Sequence, residues 1–325
     1  MEQSFKVMKT NSTDIAYNLS LEEYLFEHEK TGTYLLLWKN QQSIIVGKYQ
    51  NVYEEVNIPA IEQAQIPVVR RNTGGGTVFH DLGNLNYSYI TDYDPGSFAG
   101  YDRFIGPLIK TLNRLGVPAE KKKHSDIVVC GKKISGSAQT VKKGRILHHG
   151  TLLFDADLLG LRKFLQPTDG HIESKAVKSV RSSVTNIKDY FTDKGMTLQR
   201  LEDELAEGLA EGARMEELAL EKAAEEAVKK AAEEKYSSWD WNFGKSPDFT
   251  FCKESRESKY PVRVQLLIRK GYIAECQIRL KGSEEEKAEL IEERLQNLPY
   301  RYEVLKQVLK LLAGSESEKL LYYLF

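Results

Sequence analysis

The sequence predicts an α+β protein: a mixed, largely antiparallel sheet flanked by helices, with a small α+β unit at the C-terminal end. Three observations carry this expectation. Strand-like runs follow one another in the first ~190 residues without the regular alternation of a doubly wound parallel sheet. Two amphipathic stretches, residues 13–30 and 102–115, are long enough to cover such a sheet. A composition shift over residues 237–247 (Ser-Ser-Trp-Asp-Trp-Asn-Phe-Gly-Lys-Ser-Pro) separates off a last segment near the lower size limit for independent stability. The expected domains are 1–240, including a helical linker from about 197, and 241–325.

Each element has a local reason. Thr13 and Asp14 can cap the first helix, whose Ile15, Leu19 and Leu25-Phe26 oppose an acidic face with Glu22 and Glu23. Strands are expected at 34–38 and 43–47, joined by a polar turn, at 66–70 and at 84–90. Phe104, Leu108, Leu112 and Leu115 share one side of the helix at 102–115. Residues 126–130 and 133–139 read as a hairpin, and 146–154 as a further strand. Residues 197–235 are Glu/Ala/Lys-rich and helical, weakened at Gly208 and Gly212, and read as a solvated linker. Strands at 262–269 and 272–280 and helices near 284–297 and 300–313 complete the second unit.

The chain has 325 residues, 41% of them hydrophobic and 29% charged, with a formal net charge of −1. That composition excludes a general electrostatic role at nucleic acid or membrane surfaces. No apolar run approaches the ~20 residues of a membrane span, and no secretory signal opens the sequence. Cys130, Cys252 and Cys276 form neither a disulfide framework nor a metal motif. A cytoplasmic, thiol-reduced protein is expected.

Residues 70–84 are the most informative stretch. Gly74-Gly75-Gly76 lacks every Cβ, so backbone amides can approach an anion and φ can turn positive. Arg70 and Arg71 precede the glycines and Val78-Phe79 follow. The turn lacks the Lys-Ser/Thr pair of a P-loop and the spacing of a dinucleotide fingerprint. In the second constellation, Lys133, Ser135 and Ser137 share one face of an alternating strand. A lysine there is a point charge suited to an acyl or phosphoryl oxygen. Asp81 and Asn84 are expected to brace the glycine turn. His80 and His149 are read as hydrogen-bonded structural residues before catalytic bases, and Cys130 as buried and inert.

Arg-Arg-x-x-Gly-Gly-Gly-x-Val-Phe-His-Asp-x-Gly-Asn (70–84), Asp-Ile-x-x-x-Gly-x-Lys-Ile-Ser-Gly-Ser-Ala (126–138) and His-His-Gly-Thr-Leu-Leu (148–153) together resemble lipoate–protein ligases of the biotin/lipoate ligase superfamily. The runs Asn18–Tyr24, Val46-Gly47-x-x-Gln50-Asn51, Lys178–Asn186 and Ser238–Pro247 match in order. The resemblance implies a two-step reaction. Free lipoate and ATP give lipoyl-AMP, and a lysine of an acceptor protein then takes the lipoyl group. It implies Lys133 as the catalytic residue. Arg71, Gly74, Gly75, Gly76, Thr77, Val78, Phe79 and Lys133 would hold the nucleotide and lipoyl-AMP, with Asp126 orienting Lys133 or the incoming amine. Leu19, Trp38, Val46, Arg70, Asn72, Ser135, His149 and Gly150 would form the lipoate pocket. Arg181 would serve loop closure. Mg²⁺ is expected with ATP, without identifiable protein ligands. The implied acceptors are apo lipoyl domains of 2-oxoacid dehydrogenase E2 subunits and the glycine cleavage H protein, met by basic residues such as Lys121, Lys122, Lys123, Lys142 and Lys143. A monomer is expected.

The family often carries a Gly-Asp-Phe-like element where this chain has Leu-Lys-Gly-Ser-Glu-Glu (280–285). The alternative activity on the same scaffold is a lipoyl/octanoyl transferase that uses an acyl-carrier thioester and a catalytic cysteine. A biotin–protein ligase or a non-enzymatic binding module would be separated from a lipoate ligase by lipoate-dependent pyrophosphate release.

Overall fold

The computed structural model describes residues 5–93, 100–123, 125–255, 263–280 and 285–325. The first part of the chain contributes β1 (Phe5–Lys9), α1 (Ile15–His28), β2 (Thr33–Trp38), β3 (Ser43–Val46), α2 (Val52–Glu55), α3 (Ile58–Ala64), β4 (Val68–Arg70), β5 (Val78–His80) and β6 (Asn84–Asp92). There follow α4 (Asp102–Arg114), β7 (Ala119–Lys122), β8 (Asp126–Val129), β9 (Lys132–Lys142), β10 (Arg145–Leu153), α5 (Leu158–Phe164) and β11 (His171–Ser174). The remainder forms α6 (Leu198–Ala210), β12 (Met215–Glu217), α7 (Lys222–Ala231), β13 (Phe249–Glu254), β14 (Arg263–Arg269), β15 (Tyr272–Arg279), α8 (Glu285–Leu295), α9 (Tyr302–Ala313) and α10 (Ser317–Leu324).

Eight strands form the main sheet in the order β12-β1-β2-β6-β10-β9-β8-β7. Its β12–β1 and β1–β2 pairs are parallel and the rest antiparallel. This is the predicted α+β class. Asp14 caps α1 as expected, accepting from the backbone amides of Ala16 and Tyr17. The Cys130-Gly131 turn joins β8 to β9 with both residues at positive φ, +49° and +75°, the conformation that suits a two-residue hairpin.

Two expectations change. The two strands expected on either side of residues 39–42 are both present but belong to different sheets: β2 to the main sheet and β3 to a three-stranded sheet, β4-β3-β5. Residues 197–235 are also not a solvated linker. Leu201, Leu205 and Leu209 of α6 are buried against α4 and the main sheet. Met215–Glu217 extends the sheet beside β1, and Val228 of α7 packs into the α1 cluster. A leucine stripe on a charged helix finds a partner because its burial outweighs the cost of ordering the helix.

The C-terminal sheet, β11-β13-β14-β15, takes its first strand from residues 171–174. One core cluster spans β3, α2, α3 and this sheet, including Val46, Val52, Tyr53, Phe249 and Leu309. The 280–285 departure lies largely outside the described residues, as do Val262 and Glu284.

Candidate active site

Strand parity places the side chains of the site. β3 is buried along its whole length. Its Ile44 and Val46 pack into the cluster shared with the C-terminal sheet, so Ile45, between them, faces the main sheet. The next strand in this small sheet, β4, leads into the glycine turn, and the two arginines separate there. Arg70 is fully buried. Its guanidinium donates to the carbonyls of Gly47, Gln50, Trp241 and Asn242 and to Ser246 Oγ. Arg71 donates through Nε to Thr73 Oγ1 and through its terminal nitrogens to the carbonyls of Ile45, Gly74 and Gly76, at 2.7–3.2 Å. Burial pushes both guanidinium pKa values down to about 10, so both remain cationic at neutral pH.

Arg71 thus holds the turn in shape. Gly75 has φ +88°, which only glycine adopts without strain. A Cβ on Gly47 would lie 2.1 Å from the Gly75 carbonyl oxygen, so two glycines are needed for the close approach of these segments. Gln50 and Ser179 close the arrangement. Gln50 Oε1 accepts from the Gly47 amide and Thr77 Oγ1, and its Nε2 donates to Ser179 Oγ. Ser179 Oγ also accepts from the Thr77 amide. The strap around Lys178–Asn186 is thereby pinned to the glycine turn at one end. At the other end it pairs with the backbone of Lys133, which donates to Ser183 and accepts from Thr185.

Lys133 stands on β9 beside a register shift between Ile127 and Val128. This irregularity breaks the expected face. Lys133 shares its surroundings with Gly136, where a Cβ would come 2.8 Å from its Cε and Nζ. Its ammonium lies 2.7 Å from Asp126 Oδ1.

Two adjoining cavities of about 360 and 340 Å³ open on this lysine. Lys133, Thr77, Val78, Gly136, Thr151, Ser179 and Val180 line both. The first also draws on Leu19, Trp38, Ile45, Arg71, Gly75, Gly76, Asp126, His149 and Gly150. Its inner end is closed by Leu19, Trp38, Ile45 and His80, each at most 3% exposed. The second draws on Phe79, Ser135, Leu161, Arg162 and Leu165. Both carry apolar lining with basic residues among it, Arg71, Lys123 and Lys178 in the first and Arg162 and Arg181 in the second.

A hydrogen-bond chain runs behind the first cavity. Arg71 donates to Thr73, Thr73 Oγ1 is hydrogen-bonded to His149 Nε2 at 2.7 Å, and His149 Nδ1 to Glu22 at 2.7 Å, with Ser88 also donating to Glu22. Trp38 Nε1 donates to Ser88 Oγ, which fixes the indole wall. Burial, with Arg71 nearby, pushes the His80 pKa down to about 3, so His80 is no general base at neutral pH.

Four expected site residues lie outside both cavities. Val46 points away because of strand parity. Arg70 is spent on backbone carbonyls. Asn72 donates instead to Glu23 and Tyr236, and Gly74 lies behind the turn beside Tyr49. Asp81 braces the Gly83 amide and the entry to α5 at Asp157 rather than the glycine turn, while Asn84 donates to Asn86. Cys130 is exposed and lines neither cavity. Of the basic residues, Lys123 lines the first cavity, while Lys121 and Lys142 are paired with Asp102 and Glu27. Ile45, Gln50, Gly136 and Ser179 are among the residues not singled out from sequence, as are Leu161, Arg162 and Leu165 of the second cavity. Gln50, Gly136 and Ser179 stand within the matched motifs, so the signal for them was present.

Residues 14–210 match the model of the lipoyl protein ligase A/B catalytic domain family. The Bacillus subtilis lipoate-protein ligase LplJ is 42% identical over 272 residues, covering 82% of each chain. A solved lipoate-protein ligase A bound with ATP aligns with a TM-score of 0.63 at 26% identity, covering 75% of this chain and 99% of that one. A T. acidophilum protein solved with bound lipoic acid aligns with a TM-score of 0.63 at 25% identity, over 75% of this chain and 100% of that one.

Proposed function

The chain belongs to the lipoate–protein ligase family, and from that premise we propose that its paired cavities make lipoyl-AMP from free lipoate and ATP and then acylate a lysine of an apo lipoyl domain. The observation that carries the reading is the position of Lys133, which lines both cavities and is held against Asp126.

In this reading the acyl chain of lipoate occupies the first cavity, with its carboxylate toward Lys133. ATP occupies the second, with its base against Phe79, Leu161 and Leu165. A carboxylate oxygen attacks the α-phosphorus and pyrophosphate leaves. The Lys133 ammonium stabilises the negative charge that builds on the α-phosphoryl oxygens, and the amides of the glycine turn add dipoles of the same sense. In the second step the neutral amine of the acceptor lysine attacks the acyl carbon. The acyl–oxygen bond breaks, AMP leaves with the bonding pair on its phosphate oxygen, and the amine gives up its proton to solvent. Lys133 now stabilises the tetrahedral oxyanion and the departing phosphate. The role of Arg71 is to hold the turn that faces the ligand rather than to fork a phosphate itself.

Magnesium belongs in this scheme to the nucleotide as MgATP. Among the described residues there is no group of three or more His, Cys, Asp or Glu side chains placed to hold a metal. Among the described residues no helix is long and apolar enough to cross a membrane. The reading extends to acceptor lipoyl domains of E2 subunits and the H protein, a monomeric state and a cytoplasmic setting.

The test is the intact mass of an apo lipoyl domain incubated with this protein, lipoate and MgATP. The expected gain is one lipoyl group, lost with Lys133→Ala. No gain with the unsubstituted protein would overturn the reading.

A further inference from the structure

Two consecutive carboxylates stand outside both reaction steps. Glu54 and Glu55 end α2, and both are buried, the Glu54 side chain at 6% exposure and Glu55 at 7%. Tyr53 before them faces the C-terminal sheet, where it packs on Phe249 and Tyr300. The carboxylates face the strap instead. Glu54 accepts from Ser174 Oγ and pairs with Lys178 at 3.0 Å. Glu55 accepts from the Ser179 amide at 2.9 Å and lines the second cavity.

Ser179 is the junction that sets the strap. Its Oγ accepts from the Thr77 amide at 2.9 Å and from Gln50 Nε2 at 3.0 Å. A hydroxyl with both lone pairs taken has only its own hydrogen left to give. Glu55 is there to take it. Burial raises the Glu55 pKa, and hydrogen bonds from the side chain and the amide of Ser179 pull it back. One carboxylate therefore accepts both hydrogens of Ser179 and leaves the hydroxyl lone pairs turned toward the glycine turn and Gln50.

Beyond this junction the strap becomes the outer wall of the second cavity. Ser179, Val180, Arg181, Ser182 and Val184 line it. Val180 is 75% exposed, and Arg181 and Ser182 are exposed as well, so water lies on the other side. The backbone is next held at Ser183 and Thr185, by Lys133. An acyl-adenylate made behind this wall must wait there for the acceptor lysine, and one that escapes is hydrolysed by water to the free acid and AMP. We propose that Glu55 is a positioning residue: by accepting from Ser179 it holds the strap across the second cavity and keeps lipoyl-AMP in place between the two steps. The proposal rests on the reading of these cavities as those of a lipoate ligase.

The experiment counts pyrophosphate released per lipoyl domain acylated, with lipoate, MgATP and a saturating apo lipoyl domain at pH ~8, well above the carboxylate range. Pyrophosphate counts first steps and domain mass counts second steps, so their ratio reads leakage and cancels a general loss of activity. The unsubstituted protein should stay close to one. Glu55→Asp keeps the charge but stops short of Ser179 by about 1.5 Å, the length of a carbon–carbon bond. Its excess over one should rise roughly tenfold, the scale of two modest hydrogen bonds. Glu55→Gln keeps the reach and an acceptor oxygen, and should stay close to one. Several pyrophosphates per acylated domain in the unsubstituted protein overturn the proposal, and that measurement needs no variant. An unchanged ratio in Glu55→Asp also overturns it. So does Glu55→Gln leaking as much as Glu55→Asp, since charge rather than contact would then govern the strap. A Glu55→Asp protein silent in both steps makes Glu55 a residue of the fold and overturns it too. If the unsubstituted protein acylates no domain, the ligase reading itself fails and takes this inference with it.

Discussion

Gly136→Ala is expected to disable the protein without unfolding it. A Cβ at position 136 would lie 2.8 Å from both Cε and Nζ of Lys133, with Asp126 Oδ1 next at 3.8 Å. A relaxed contact between a carbon and these atoms is roughly 3.5 Å, so the end of the lysine must retreat by about 0.7 Å or swing to another rotamer. Either movement disturbs its 2.7 Å approach to Asp126. Displacing a charge-stabilising group by nearly an ångström costs on the order of 10²-fold in rate. Stability should change little. The obstacle is the flexible end of a side chain, and the 136 backbone is ordinary strand where alanine restricts the unfolded chain by about 0.4–1 kcal/mol. The assay is a time course of acceptor mass beside a thermal melt. Combined with Lys133→Ala, the substitution should add no further loss, since both act on one group. Wild-type turnover in Gly136→Ala would refute the placement of Lys133, and a collapse in melting temperature would refute the claim that only Lys133 is displaced.

Other outcomes follow from the same geometry. Arg70→Met leaves buried acceptors at Gly47, Gln50, Trp241 and Asn242 unpaired, and should cost on the order of 3 kcal/mol in a urea titration; a change below about 1 kcal/mol would deny it that anchoring role. Gln50→Ala releases Gly47, Thr77 and Ser179 together and should lower kcat/KM by roughly tenfold or more, whereas unaltered steady-state kinetics would show that the strap needs no such clasp. Stability should also fall with acid. Burial pushes the pKa of His80 and of His148 down to about 3, far below the ordinary value near 6.5. The unfolded chain therefore takes up protons that the native state refuses, and stability present above pH ~6.5 is lost toward pH ~3, at roughly 1.4 kcal/mol per pH unit for each histidine. Glu55 and Glu62, held above the usual carboxylate range by burial, oppose this only where they titrate themselves. His148→Gln should flatten the urea-midpoint slope between pH 7 and pH 5; an unchanged slope would exclude His148 as a source.

The local features were legible because each is written in a few adjacent residues. Gly74-Gly75-Gly76 announces a turn without side chains, Asp14 a helix start, and Gly131 a tight hairpin, whose turn falls at Cys130-Gly131 rather than at the expected Gly131-Lys132. Lys133 stood out as a cation on a sheet face. Its companions on that face did not, because the register shift beside Ile127 is a feature of pairing between strands and leaves the strand's own composition unmarked.

Sequence alone thus determined the class of fold, the glycine turn, the lysine that meets it and the family these motifs belong to. Tertiary structure decided which of two neighbouring residues does each job. Side chains on a strand alternate between faces, and a strand such as Ser43–Val46, covered on both sides, shows no change of polarity from one position to the next. Whether Ile45 or Val46 lines the first cavity therefore depended on where the second sheet packs. The fate of the two arginines likewise depended on which carbonyl groups the folded chain carried to each of them.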